Sequence, residues 1–298
     1  MNKSHKRILL AVDGSEGALE AVRYISRISM FQNMQLVLFN VFSTIHEYFW
    51  DLELGPQNHL RLEEFKGFQE QPEKTAGEYM ERAKQILVDA GFSEDGVNIS
   101  MPQRKTGIAR DIITESQRGY SAVVIGRKGV SDLEDLVLGG VAAKLLEKLA
   151  FVSLMVVGKS PQPGKVLLAL DSSEGAMGAV DYVATMLGGS NVEVELIHVI
   201  RGDTKERLEE ATNRIIVAFM RAKNRLIQSG FRPDQIANIT ITRVNSRAGA
   251  IIEEANRHGY GTIVMGRKGL SEVEEFSMGR VSNKVVQLAR NHAVWVVS

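Results

Sequence analysis

The sequence predicts an α/β protein of two tandem domains, each a mostly parallel open sheet with helices on both faces. Three observations carry this: a length about twice that of a common domain, an internal repeat, and short apolar runs alternating with helical periodicity in each repeat. At 298 residues, 44% hydrophobic and 24% charged, either half can bury a core.

The repeat is legible by eye. RILLAVDGSEGALEAVRYIS, from Arg7 to Ser26, matches KVLLALDSSEGAMGAVDYVA, from Lys165 to Ala184, with Asp13 on Asp171 at an offset of 158. VVIGRKGVSDLEDLVLGG, from Val123 to Gly140, matches IVMGRKGLSEVEEFSMGR, from Ile263 to Arg280, with Gly126 on Gly266 at an offset of 140. RAKQILVDAGF (Arg82 to Phe92) matches RAKNRLIQSGF (Arg221 to Phe231) at 139, so the first copy carries about 19 extra residues between Val41 and Arg82. The joint GKSPQPGK, Gly158 to Lys165, reads as a short linker. The expected domains are therefore 1–160, with an insertion at about 43–78, and 161–298.

Each copy opens with an apolar run, Ile8 to Val12 or Val166 to Leu170, that suits a buried strand and ends at Asp-Gly or Asp-Ser. A helix follows, with Ala18, Val22 and Ile25 at helical spacing, and then a second strand at Leu36 to Phe42 or Val194 to Ile200. Further helices are expected at Tyr79 to Ala90 and Thr212 to Ser229, and strands at Ala122 to Ile125 and Thr262 to Met265. Each copy closes with a helix (Val141 to Leu149; Val281 to Ala289) and a last strand (Ser153 to Val157; Ala293 to Val297). Ligands of such sheets sit beyond the carboxyl ends of the strands, where Asp13 and the Gly126 loop fall.

The strongest local motif is a strand, then Gly-x2-Gly, nine residues, and Gly at a helix start: Gly126, Gly129 and Gly139, repeated as Gly266, Gly269 and Gly279. Glycines let a backbone approach a phosphate, and the N–H groups opening a helix favour an anion. The motif lacks the Gly-Lys-Ser/Thr ending of a P-loop and the spacing of a dinucleotide fingerprint.

With this motif the chain resembles the universal stress protein family in a tandem form, over nearly all of both halves. The resemblance implies a Rossmann-like, adenine nucleotide alpha hydrolase-like fold and binding of ATP or AMP. It implies adenosine contacts at Asp13 and Val41, and at Asp171 and Val199. Phosphate contacts would come from Gly126, Gly129 and Gly139, and from Gly266, Gly269 and Gly279. The family pattern has Ser or Thr after the last glycine, where this chain has Gly140 and Arg280; two residues on stand Ala142 and Ser282. The second copy thus keeps one hydroxyl and gains a guanidinium able to pair with phosphate, which makes it the better site. The resemblance further implies pairing of the halves through their last strands, as an intramolecular pseudo-dimer, alone or within a homodimer.

Other residues allow two readings. Asp13 and Asp171 also suit helix N-caps. Arg127-Lys128 and Arg267-Lys268 suit phosphate neutralisation or a solvated turn. Asp132, Glu134 and Asp135, with Glu272, Glu274 and Glu275, suit Mg²⁺ held through water or an exposed helix face. The aromatic stretch His46 to Phe68 suits a lid, a surface for an unidentified protein partner, or a helical hairpin on its own domain.

Composition excludes several classes. Thirty-six basic residues balance thirty-six acidic ones, which disfavours nucleic acid. The absence of cysteine removes thiolate and disulfide chemistry. No apolar run is of membrane-spanning length or suits a signal peptide, so a cytoplasmic protein without membrane contact is expected. The six histidines lack metal-ligand spacing, no GxSxG elbow occurs, and no general base can be named, so hydrolysis of ATP would be slow at most. The expectation is a regulatory adenine-nucleotide-binding protein; the alternatives are a nucleotide-free scaffold and a nucleotide-dependent transferase.

Overall fold

The computed structural model of the chain describes residues 6–42, 70–128, 138–201, 205–270 and 278–298. Its first half runs β1 (Arg7–Ala11), α1 (Glu16–Ser26), β2 (Gln35–Phe39), α2 (Glu70–Asp89), β3 (Val97–Ser100), α3 (Ile108–Ser116), β4 (Ala122–Gly126), α4 (Gly140–Lys148) and β5 (Ser153–Val157). The second half repeats the order: β6 (Lys165–Ala169), α5 (Glu174–Leu187), β7 (Glu193–Ile200), α6 (Lys205–Gln228), β8 (Ile236–Thr242), α7 (Arg247–His258), β9 (Thr262–Gly266), α8 (Arg280–Leu288) and β10 (Ala293–Val297).

All ten strands join one sheet, ordered β3-β2-β1-β4-β5-β10-β9-β6-β7-β8. Pairing within each half is parallel, and β5 meets β10 antiparallel. The α/β class expected from the sequence is the one observed, and the last strands pair as the resemblance implied.

Two strand and helix pairs escaped the sequence reading: β3 with α3, and β8 with α7. The strands lie at the sheet edges, and of VNIS and IANITIT only the first residue of each is fully buried, so their apolar signal is weak. Helix α3 has nine residues and buries three of them. Helix α2 starts at Glu70 rather than Tyr79, so the end of the expected insertion is helical.

The strands alternate side chains between two apolar layers, as a doubly covered parallel sheet requires. Ile8 and Leu10 belong to the layer that includes α1, α2, α5 and α6, while Leu9 belongs to the layer that includes α3, α4, α7 and α8. Each layer holds residues of both halves, so the core runs unbroken across the seam.

The seam is built around Trp295, which pairs in register with Met155 and is fully buried. Its Nε1–H donates to the Tyr24 hydroxyl at 3.0 Å, and that hydroxyl lies 2.7 Å from Thr262 Oγ1. Phe31 stacks near the indole and Tyr182 meets it edge-on, each at 6.1 Å, while the Tyr182 hydroxyl donates to the Ser121 carbonyl at 2.9 Å. Burial pushes the Tyr24 hydroxyl pKa far up, so the phenol stays a neutral hydrogen-bonding group. Replacing Tyr24 with Phe should therefore leave Trp295 Nε1 and Thr262 Oγ1 unpaired inside the seam. A loss of about 1–3 kcal/mol is expected in urea unfolding, with the slope unchanged.

Candidate functional site

Strand β1 lies between β2 and β4, and β6 lies between β7 and β9. The crossover to one neighbour runs over one face and that to the other neighbour over the opposite face, which opens a crevice at the carboxyl ends. The aspartates sit there, on the loops leaving β1 and β6. They are not the helix N-caps: those are Ser15 and Ser173, whose hydroxyls accept from Ala18 N and Ala176 N. Asp13 Oδ1 accepts from Ser15 N at 3.0 Å and from Ser15 Oγ at 2.6 Å, and Asp171 binds Ser173 in the same way. A carboxylate two residues before its donor closes the loop as an Asx turn, and the hydroxyl takes over the cap.

The glycines of the motif have separate tasks. A Cβ on Gly126 would lie 2.5 Å from the Gly17 carbonyl, and one on Gly266 would lie 2.5 Å from that of Gly175. These first glycines thus admit the opening turn of α1 or α5 against the strand end. Gly269 faces the crevice, since a Cβ there would come within 2.7 Å of Asp171 Oδ2. Gly139 and Gly279 are the N-cap residues of α4 and α8, and neither helix has a side-chain cap hydrogen bond. Their own N–H groups donate at 2.9 Å to the carbonyls of Arg127 and Arg267. Gly140 faces open space. Gly126→Ala and Gly266→Ala should each destabilise the protein by roughly 1–3 kcal/mol, whereas Gly140→Ala should be close to neutral in thermal unfolding.

In the second half, Asp171, Gly266, Gly269, Gly279 and Ser282 come together. Leu270 N donates to Asp171 Oδ2 at 3.3 Å, which draws the glycine loop onto the aspartate. The Ser282 hydroxyl does not stand free for a phosphate: it is buried and donates to the Gly266 carbonyl at 2.9 Å. Arg280 is exposed at the first position of α8. The side chains of Val41 and Val199 are buried in the layer shared with α3, α4, α7 and α8. Gly129, the acidic runs and residues 43–69 lie outside the described residues. Among the described residues, no group of three His, Cys, Asp or Glu side chains could hold a metal ion.

Arg247, which sequence reasoning missed together with its helix, donates from Nε to the Val199 carbonyl at 3.3 Å. The signal was present in Ser246, which caps α7, and in Ala248, Ile251 and Ala255 at helical spacing. The first residue of α3 in the other half is Ile108, which carries no charge.

The halves also differ beside the aspartates. Asn40 Nδ2 donates to the Val12 carbonyl at 2.7 Å, and His198 Nδ1 meets the Leu170 carbonyl at the same distance, so the two side chains tie the second strand to the aspartate loop alike. Gly14, at φ +79°, lies under the Tyr79 ring, 2.7 Å from where a Cβ would stand. Burial, and secondarily the Asp13 charge, pushes the Tyr79 hydroxyl up to about 12. The corresponding residues of the second half are Ser172 and Ala218.

Burial holds the His198 pKa below the ordinary histidine value, opposed by its carbonyl partner and by Asp171, and helped by Arg247. His292 is lowered in the same way. A histidine kept neutral by folding binds fewer protons than it does unfolded. Its stabilising effect is complete above the unfolded value of about 6.5 and is lost as pH falls below it. The urea midpoint should therefore drop between about pH 7 and 5, and His198→Asn, which copies the contact made by Asn40, should flatten part of that slope.

Arg127 and Arg267 are neither phosphate ligands nor parts of a solvated turn. They are 6% and 5% exposed, and their guanidiniums point across the seam into the opposite half, where backbone carbonyls replace water. Burial, then the neighbouring Arg290, pushes Arg127 down to about 10, which leaves it charged at neutral pH.

The fold and these crevices define a tandem, mostly parallel α/β protein with a helix end suited to an anion in each half. Residues 4–158 and 163–298 both match the model of the universal stress protein family, and the chain belongs to that family. Its fold is similar to a universal stress protein from Archaeoglobus fulgidus, at 19% identity, with 98% of each chain covered and a TM-score of 0.66. It is also similar to a putative universal stress protein from Pseudomonas aeruginosa, at 17% identity, covering 99% of this chain and 93% of that one, with a TM-score of 0.60. No curated protein matches the chain. Among the described residues no helix is long and apolar enough to cross a membrane.

Proposed function

We propose that the chain is a regulatory adenine-nucleotide-binding protein that holds ATP or AMP in at least the second half, residues 161–298. The observation that carries this reading is the meeting of Asp171, the Gly269 loop and the side-chain-uncapped N-terminus of α8 at one crevice. A ribose would replace Leu270 N at the Asp171 carboxylate, the base would meet the Val199 backbone, and phosphates would meet the N–H groups of α8 beside Arg280. Among the described residues no general base is assigned to activate water, so turnover would be slow at most. In the first half, Gly140 and Ala142 offer no hydroxyl, and Tyr79 presses on the aspartate loop.

Nucleotide released on denaturing the purified protein, separated by chromatography, should be an adenine nucleotide. Gly279→Val is the sharper test. The backbone there, at φ −66° and ψ 149°, accepts a β-branched residue, and the closest atom to a Cβ is 3.4 Å away, so the fold should survive. Calorimetric ATP affinity of the second half should fall at least about tenfold, the equivalent of 1.4 kcal/mol. Unchanged affinity would reject this site, and an absence of nucleotide binding in the wild-type chain would leave a scaffold role.

A further inference from the structure

The two buried arginines close a ring of hydrogen bonds that joins the two crevices. The Arg127 guanidinium leaves the glycine loop of the first half and binds the carbonyls of Val286, Gln287 and Ala289 at the C-terminal end of α8. The other end of α8 is Gly279, whose N–H is held by the Arg267 carbonyl at 2.9 Å. The Arg267 guanidinium then binds the Leu146 carbonyl near the end of α4. Helix α4 begins after Gly139, whose N–H is held by the Arg127 carbonyl at 2.9 Å, and there the ring closes.

We propose that Arg127 and Arg267 are positioning residues, each setting the anion-facing helix end of the half it does not belong to, so that occupancy of one crevice alters the other. Three features support this. The last carbonyls of a helix have no partner within it, so a guanidinium there fixes the helix along its axis as well as satisfying them. Each helix is only nine residues long, about 14 Å, with one arginine at each end. Each arginine is also a rigid part of its own loop, because its backbone N–H bonds the last residue of a seam strand, Val157 for Arg127 and Val297 for Arg267. A shift of the glycine loop on binding an anion therefore moves the guanidinium and, with it, the far helix. The proposal rests on the nucleotide reading for the identity of the anion; the ring itself does not depend on it.

Hydrogen exchange on the ligand-free full chain tests the ring. Arg127→Met should speed exchange about tenfold at the bonded amides of Gly279 and Asn283, at the far end of α8, as well as beside the lost guanidinium, and Arg267→Met should do the same at the bonded amides of Gly139 and Ala143. Arg127→Lys, which can still donate to a carbonyl, should restore most of the protection and serves where the methionine variant does not fold. Acceleration confined to the neighbourhood of the deleted group, or equal everywhere, would overturn the proposal. In ATP titrations, Arg127→Met should weaken binding in the second half by about fivefold or more, an effect that should vanish on the Gly279→Val background. ATP binding to the second half that is indifferent to Arg127 would also overturn the coupling. If the wild-type chain binds no ATP, the nucleotide reading fails while the exchange experiment still decides the ring.

Discussion

The antiparallel pairing of β5 with β10 is the constraint from which the rest of the molecule follows. It joins two parallel five-stranded units into one sheet and removes the edge that each would otherwise expose. It also fixes where the glycine loops start, because Arg127 and Arg267 bond the final residues of the two seam strands. A residue leaving the sheet at that point has the other half as its nearest neighbour. The long arginine side chain can therefore reach a helix end that no shorter cation would, and the planar guanidinium can serve several carbonyls at once. Trp295, Tyr24 and Thr262 hold the seam laterally, and the arginines hold it at the crevice end.

Comparison of the two halves separates what the scaffold demands from what the crevice tolerates. Gly17 and Gly126 recur as Gly175 and Gly266, since a backbone approach that leaves 2.5 Å for a Cβ admits no other residue. Arg127 recurs as Arg267 with the same burial and the same kind of partner. Positions lining the crevice have drifted apart: Asn40 against His198, Ile108 against Arg247, Gly140 against Arg280, Tyr79 against Ala218. The drift is chemically directional. The second half gains cationic and imidazole groups, while the first gains a half-buried phenol over its aspartate loop.

Much of the fold was legible in the sequence because buried parallel strands write continuous apolar runs, and because a repeat lets one half check the other. The edge elements were not, since one-sided burial of β3 and β8 leaves mixed, short polar residues such as those of IANITIT. The site was legible by residue type more than by role. Gly126 and Gly266 belong to the expected motif, yet they are there for helix packing, which depends on a contact with Gly17 or Gly175 far earlier in the chain. The burial of Arg127 was beyond local reading because its partners lie about 160 residues away, across a seam that only folding creates. An arginine followed by lysine and glycine looks solvated until the helix it caps is in place.

The allocation of donors in the second crevice bears on what kind of ligand it suits. The Ser282 hydroxyl, the one hydroxyl kept from the expected pattern at the start of α8, is committed to the Gly266 carbonyl and stabilises the loop. Among the described residues, an anion at this point would meet the helix end, with its N–H groups and partial positive charge, and the exposed charge of Arg280. Both favour a multiply charged group over a neutral one, and both act through field as much as through fixed geometry. The Asp171 carboxylate accepts from Leu270 N at 3.3 Å, a long bond that a hydroxyl donor could replace at little cost. Such an exchange would release the loop that leads back to Arg267. Leu270, which pairs with Asp171, and Arg267, which reaches the other half, are thus parts of one short segment.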